Sequence, residues 1–178
     1  MTQPYYTFSG TKHPLSLDYY APFTVRGEVY LSMRQYLVAA LNRSYGAYDK
    51  VKAAMAISAH DADGTFDPAK WAKAIAYLKT VEVSGVAGTM WNRQARAWAT
   101  EGTLAKFSQN PQLIPVLMSA PFGTLVYAEP DEKVWGVGLA ESDPRVHTKS
   151  EWRGDNWYSD ALQQVRQAFH AVRNALTQ

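Results

Sequence analysis

The apolar positions of this chain fall into two rhythms. Near the N-terminus they alternate. Tyr5 to Ser9 reads as a short strand, and Phe23-Thr24-Val25 and Glu28-Val29-Tyr30 flank Arg26-Gly27, the pattern of a tight hairpin with glycine at its turn. From Ser32 onward the spacing changes to threes and fours. Ser32 with Gln35 forms a capping box, which predicts a helix to about Ser44, and a second helical piece follows over Asp49 to Ser58. After the loop His60-Asp61-Ala62-Asp63-Gly64, Asp67-Pro68 starts another helix. The aspartate caps it, and the proline fills a first-turn position where no N–H is needed. Trp71, Ile75 and Leu78 mark the buried face of that helix. Ser84 to Gly88 breaks the pattern, a helical stretch carries Trp91 and Trp98 to Phe107, and Asn110-Pro111 opens a further helix ending near Ala120-Pro121. Thr124 to Ala128 and Val134 to Leu139 read as strands, and Ala140 to Asp155 as a long loop. The final helix, Ser159 to Leu176, sets Leu162, Val165, Phe169, Val172 and Leu176 on one face, predicted to be core. The sum is a helix-rich α+β fold with a small β-sheet. At 178 residues the chain is expected to form a single domain, 1–178.

Composition narrows the chemistry. There is no cysteine, which excludes disulfides and thiolate metal sites and suits a reducing compartment. Met1 to Gly10 lacks the basic start and apolar run of a signal peptide, and no stretch approaches the roughly 18 apolar residues that span a bilayer. A cytoplasmic protein without membrane contact is the expectation. Net charge is +2, with lysines and arginines scattered, so a nucleic-acid partner is possible but unsupported by charge. Six tryptophans and eleven tyrosines point to a stacking pocket for a flat ring, beside their ordinary use in packing.

No metal site is expected. Asp61, Asp63 and Asp67 depart from a calcium loop, whose fifth and twelfth positions would here be Thr65 and Ala72, so the segment reads as a solvated turn with a helix cap. The four histidines have no ligand spacing. Gly136-Val137-Gly138 lacks the third glycine and following helix of a dinucleotide fingerprint, and no cofactor is expected.

The distinctive text lies further on. Leu104-Ala105-Lys106-Phe107-Ser108-Gln109-Asn110-Pro111 is followed by Glu129-Pro130-Asp131-Glu132-Lys133-Val134-Trp135-Gly136-Val137-Gly138-Leu139, then Asp143-Pro144, Trp152-Arg153-Gly154-Asp155-Asn156 and Val165-Arg166. Near the start, Ser16, Tyr19, Ala21-Pro22-Phe23, Gly27 and Tyr30 complete the series. This order and spacing resemble the NADAR (YbiA-like) family, over nearly the whole chain. The resemblance implies a YbiA-like fold and an N-glycosidase-type hydrolase acting on a ribosylated base or an ADP-ribose-like N-glycoside. The alternative is a catalytically degenerate module that binds an ADP-ribose- or NAD-like nucleotide, or a protein partner, without turnover.

Breaking a C1′–N bond builds positive charge on the sugar, which a nearby carboxylate stabilises while it orients a water. The resemblance implies that role for Glu132, at the position of the family's aspartate before WG, with Trp135 beside it. Trp91 would stack on the leaving base. Gly136 and Gly138 would admit backbone close to a ribose or phosphate. Lys106 would meet a phosphate, and Asn156 a ligand hydroxyl. The run Ser32-Met33-Arg34-Gln35-Tyr36 matches the family's S-x-E-x-Y, so Tyr36 joins the expected binding residues while Arg34 replaces the glutamate with a fixed cation. There Arg34 would grip a phosphate or carboxylate of the substrate. Leu41 also replaces a lysine, Ser159 a glycine, and the segment from about Ser44 to Val86 is longer than the family's.

Overall fold

A computed structural model of the chain describes residues 5–82, 89–121 and 124–177. Among these, four strands and six α-helices follow one another: β1 (Tyr5–Phe8), β2 (Phe23–Val25), β3 (Glu28–Tyr30), α1 (Met33–Ser44), α2 (Tyr48–Met55), α3 (Pro68–Val81), α4 (Thr89–Gln109), α5 (Ile114–Ser119), β4 (Thr124–Tyr127) and α6 (Trp157–Leu176). The fold is helix-rich α+β. The expected break at Ser84 to Gly88 lies outside the described residues. No helix among them is long and apolar enough to cross a membrane. Backbone contacts group the chain into two units, residues 20–109 and residues 1–19 with 110–178.

In the unit of residues 20–109, β2 and β3 pair antiparallel with Phe23 opposite Tyr30. Arg26 and Gly27 both adopt left-handed backbone, φ 52° and 84°, the geometry of the two-residue turn that matches strand twist. Ser32 caps α1, its hydroxyl accepting from the Gln35 N–H at 3.3 Å. The Gln35 side chain reaches one residue further back than a capping box requires. It accepts from the Leu31 N–H at 2.6 Å and donates to the Ala54 carbonyl at 2.9 Å, which ties α1 to α2. Helix α2 stops three residues short of the expected Ser58, because the Ala56 N–H is shared between the Lys52 and Ala53 carbonyls in a tightened last turn. Asp67 caps α3 by accepting from the Ala69 N–H at 2.8 Å. Trp71, Ile75 and Leu78 then close a core with Val38, Ala54 and Ala59, as their spacing predicts.

In the other unit, β1 and β4 pair in parallel, Tyr5 opposite Thr124 through Phe8 opposite Tyr127. Val126 and Ala128 pack with Val137, Leu139 and Val146. The segment Asn110 to Ala120 is a short 3-10 turn at Pro111–Leu113 followed by α5, rather than one continuous helix. Two further 3-10 turns, Pro144–His147 and Lys149–Glu151, punctuate the expected long loop. The expected strand Val134 to Leu139 does not form. Its carbonyls turn to the start of α6 instead of to a neighbouring strand, and Gly138 at φ 68° breaks the extension.

Helix α6 begins at Trp157, two residues earlier than expected. Its apolar face buries Leu162 and Val165 completely or nearly so, but Val172 and Leu176 are 58% and 82% exposed. The periodicity outruns the surface available to cover it: α5, the helix packed against α6, is six residues long. The same substitution should therefore have unequal consequences along one stripe. Leu162→Ala is expected to cost about 2–5 kcal/mol in urea unfolding, and Leu176→Ala to stay within about 0.5 kcal/mol of wild type.

Candidate functional site

The segment from Glu129 to Leu139 is held by an unusual set of partners. The N–H groups that begin an α-helix have no acceptor within it. At the start of α6 they find three carbonyls of this loop. Asn156 donates to Gly136 O at 3.0 Å, Trp157 to Val134 O at 3.2 Å, and Tyr158 to Trp135 O at 3.1 Å. Arg153 N–H to Val137 O at 2.8 Å and Asp155 N–H to Lys133 O at 2.9 Å extend the ladder upstream. The partial positive charge at the helix start is thus met by carbonyl oxygens.

Three glycines permit this closeness. A Cβ on Gly136 would lie 2.6 Å from the Tyr127 carbonyl oxygen, and one on Gly154 would lie 2.4 Å from Gly136 O. Gly138, in left-handed backbone, would bring a Cβ 3.1 Å from that of Arg153. In this unit Gly136 and Gly138 admit protein backbone and side chain, the role that the sequence reading gave to a ligand.

Asn156 is similarly occupied. It sits in left-handed backbone, φ 57°, and its carboxamide behaves as one more strand residue beside β4. Oδ1 accepts from the Tyr127 N–H at 3.0 Å and from the Ser159 hydroxyl at 2.8 Å, while Nδ2 donates to Leu125 O at 2.9 Å. Ser159, at the family's glycine position, thereby helps to orient Asn156. Trp135 is buried edge-to-face on Trp157, ring centres 6.3 Å apart. Glu132 is 7% exposed, on a turn closed by its own N–H to Glu129 O at 3.2 Å.

The unit of residues 20–109 contains a pocket of about 250 Å³, lined by residues of the hairpin, α1 and α4. Two Arg–Glu–Tyr arrays stand at it. Arg43 donates to Glu28 at 2.9 Å, and the Tyr30 hydroxyl donates to the same carboxylate at 2.7 Å. Arg26 donates to Glu101 at 3.0 Å, and the Tyr36 hydroxyl donates to that carboxylate at 2.8 Å. The Tyr30 hydroxyl and the Arg43 guanidinium hold the Glu28 carboxyl below its ordinary range against a smaller opposing effect of burial. Burial first, and then the Glu101 carboxylate, push the Tyr36 hydroxyl well above the usual tyrosine range. Burial also raises Tyr30.

Of the expected binding residues in this unit, Tyr36 lines the pocket and Arg34 does not. Arg34 is buried within α1, 2% exposed, and Lys106 is fully buried with its ammonium 5.4 Å from the centre of the Phe107 ring. Lys106 is therefore not the solvated lysine usual on an amphipathic helix. The backbone of Trp91 belongs to α4, and its side chain lies outside the described residues. The sequence reading missed Arg26, Glu28, Arg43, Trp98 and Glu101. Their one signal was a hairpin carrying opposite charges on either side of its glycine.

Two outcomes follow. Asn156→Asp keeps the shape and tolerates the same backbone, yet puts a carboxylate oxygen against the Leu125 carbonyl. It is expected to cost about 2–3 kcal/mol or more in denaturant unfolding. A tyrosine whose folded pKa is raised contributes stability that is complete below its unfolded pKa and is lost as pH rises through the folded value. Wild type should therefore lose stability above about pH 10, and Tyr36→Phe should lose less over the same range in parallel urea titrations.

The chain is similar over much of its length to proteins already known. The family model described as NADAR domain matches residues 1–170. Protein irg-1 of Caenorhabditis elegans is 36% identical over 78 residues, covering 44% of this chain and 37% of that protein. An N-glycosidase of Acanthamoeba polyphaga mimivirus is 34% identical over 79 residues, covering 44% of this chain and 46% of that protein. The aligned stretch thus spans less than half the length of either relative. The NMR structure of the Escherichia coli protein YbiA superposes with a TM-score of 0.64 at 17% identity, over 97% of this chain and 89% of that one. The fold is therefore YbiA-like, and the chain belongs to the NADAR domain family.

Proposed function

We propose that this chain is an N-glycosidase-type hydrolase whose substrate is a ribosylated base or an ADP-ribose-like N-glycoside. Membership of the NADAR family and a viral relative named as an N-glycosidase support the reaction class. The observation that carries it to a residue is Glu132, a buried carboxylate on a loop that hydrogen bonds fix to the start of α6 and to β4. Such a group costs little reorganisation when charge develops beside it. The C1′–N bond breaks with its electron pair going to the base, and a water oxygen bonds to C1′. One water proton reaches the released base. Glu132 stabilises the oxocarbenium-like transition state and orients that water.

A second reading is binding without turnover. It is favoured by Arg34, a buried cation where the family pattern carries glutamate. Turnover assays separate the two. Wild type and Glu132→Gln would be given ADP-ribosylated guanosine, a ribosylated aminopyrimidine, NAD and ADP-ribose, with free base read by chromatography and binding by calorimetry. Hydrolysis predicts base release that falls by about 10²–10⁴ in Glu132→Gln. Saturable binding with no release by wild type would leave the second reading in its place.

A further inference from the structure

The pocket between the β2–β3 hairpin, α1 and α4 has a chemistry of its own, described within one unit of the chain. Among the residues that line it, Tyr30 and Tyr36 are 2% and 4% exposed and packed on each other, while Trp98 is only half-buried. The Trp98 indole suits a flat ring, because stacking adds to simple burial. The charges that line it are two guanidinium groups, Arg26 and Arg43, against the single carboxylate of Glu28. Glu101, which pairs with Arg26, is not a lining residue.

The hydrogen-bonding inventory points the same way. Arg26 commits Nε and Nη2 to Glu101, and among the described residues its Nη1 has no acceptor. Arg43 commits Nη2 to Glu28. A guanidinium has five N–H donors in a planar fork, so each arginine keeps donors for a further anion while its carboxylate holds it in place. The tyrosine hydroxyls are turned to the two glutamates, so the tyrosines hold the carboxylates that orient the arginines.

Size limits the occupant. At about 250 Å³ the pocket falls below the range of about 300–1,000 Å³ that holds drug-sized ligands. One ring with one charged substituent suits a pocket of this volume. We propose that this pocket is a binding site for a small planar aromatic anion, a single ring bearing a carboxylate or phosphate. The ring lies against Trp98, and the anion on Arg26 and Arg43. The site stands on this geometry whether or not the chain cleaves an N-glycosidic bond.

The test uses the full chain with benzoate, phenyl phosphate and benzamide, the last being the neutral counterpart of benzoate. Binding is read by calorimetry and by saturation transfer to the ring protons. The expected result is saturable binding of at least one anion, tighter than about 5 mM as suits so small a ligand, with benzamide at least about tenfold weaker. The stronger of benzoate and phenyl phosphate tells which anion the site takes. Arg26→Gln changes a side chain that is 76% exposed, and should weaken the anion about tenfold while its circular dichroism matches wild type. Arg26→Lys should recover part of that loss. The proposal is overturned if neither anion saturates, if benzamide binds as well as benzoate, or if folded Arg26→Gln binds the anion undiminished. The wild-type comparison of benzoate with benzamide decides the matter without any variant.

Discussion

Helices begin with several N–H groups that nothing inside the helix can satisfy, and in this chain the first of them in α6 are satisfied by the Val134–Gly136 carbonyls. The consequence spreads in both directions along the sequence. The loop must approach the helix end on, so its carbonyls cannot join a sheet, and Val134 to Leu139 gives up the strand that its apolar content favours. The approach must be close, so Gly136 and Gly154 cannot carry a Cβ. The turn into the helix needs left-handed backbone, which Asn156 tolerates better than most residues. Its carboxamide then binds the edge of β4. The WG-x-G and W-x-G-x-N motifs, 17 residues apart from Trp135 to Trp152, are two halves of one hydrogen-bonded object. Trp135 and Glu132 inherit their positions from it.

The hairpin in the other unit is fixed by a different physical device. Two ion pairs, Arg26 with Glu101 and Arg43 with Glu28, connect its turn and second strand to α4 and α1. Both involve substantially exposed side chains, and pairs of that kind contribute at most about 1 kcal/mol each. Their value is geometric. Each carboxylate also accepts from a buried tyrosine, which gives the guanidinium groups a fixed anchor at the edge of the pocket. Gly102 serves the same end from α4: a Cβ there would strike the Tyr36 ring at 2.6 Å. Its place in mid-helix costs roughly 0.5–1 kcal/mol of intrinsic preference, which the seating of that ring offsets.

What could be read from the sequence divides along the range of the interactions involved. The hairpin, the Ser32 and Asp67 caps, and the Trp71–Ile75–Leu78 face are decided by residues within a turn or two of each other, and their positions were legible. The NADAR assignment was also legible, because it rests on several separated motifs in a fixed order. The lost strand at Val134 to Leu139 was not, since its alternative partner, the start of α6, lies some twenty residues away. Periodicity at the end of α6 misled for a related reason: Val172 and Leu176 repeat the spacing, but spacing carries no information about where the opposing surface stops. The pocket was the least legible feature. Glu28 meets Arg43, and Arg26 meets Glu101, across separations that no helix or strand repeat encodes.

Arg34 and Lys106 carry the same lesson into the charges. A cation buried to this degree has given up its water, and the desolvation penalty amounts to several kcal/mol unless specific partners replace the solvent. A position freed from any need for charge would drift toward an apolar side chain of similar volume, which packs at least as well. Both residues are engaged by other groups of the protein. Arg34 is therefore more than the absence of the family's glutamate: a cation has been built into the fold there, at a cost that its partners must offset. Helix α1 thus carries a buried positive charge where the family pattern has a negative one.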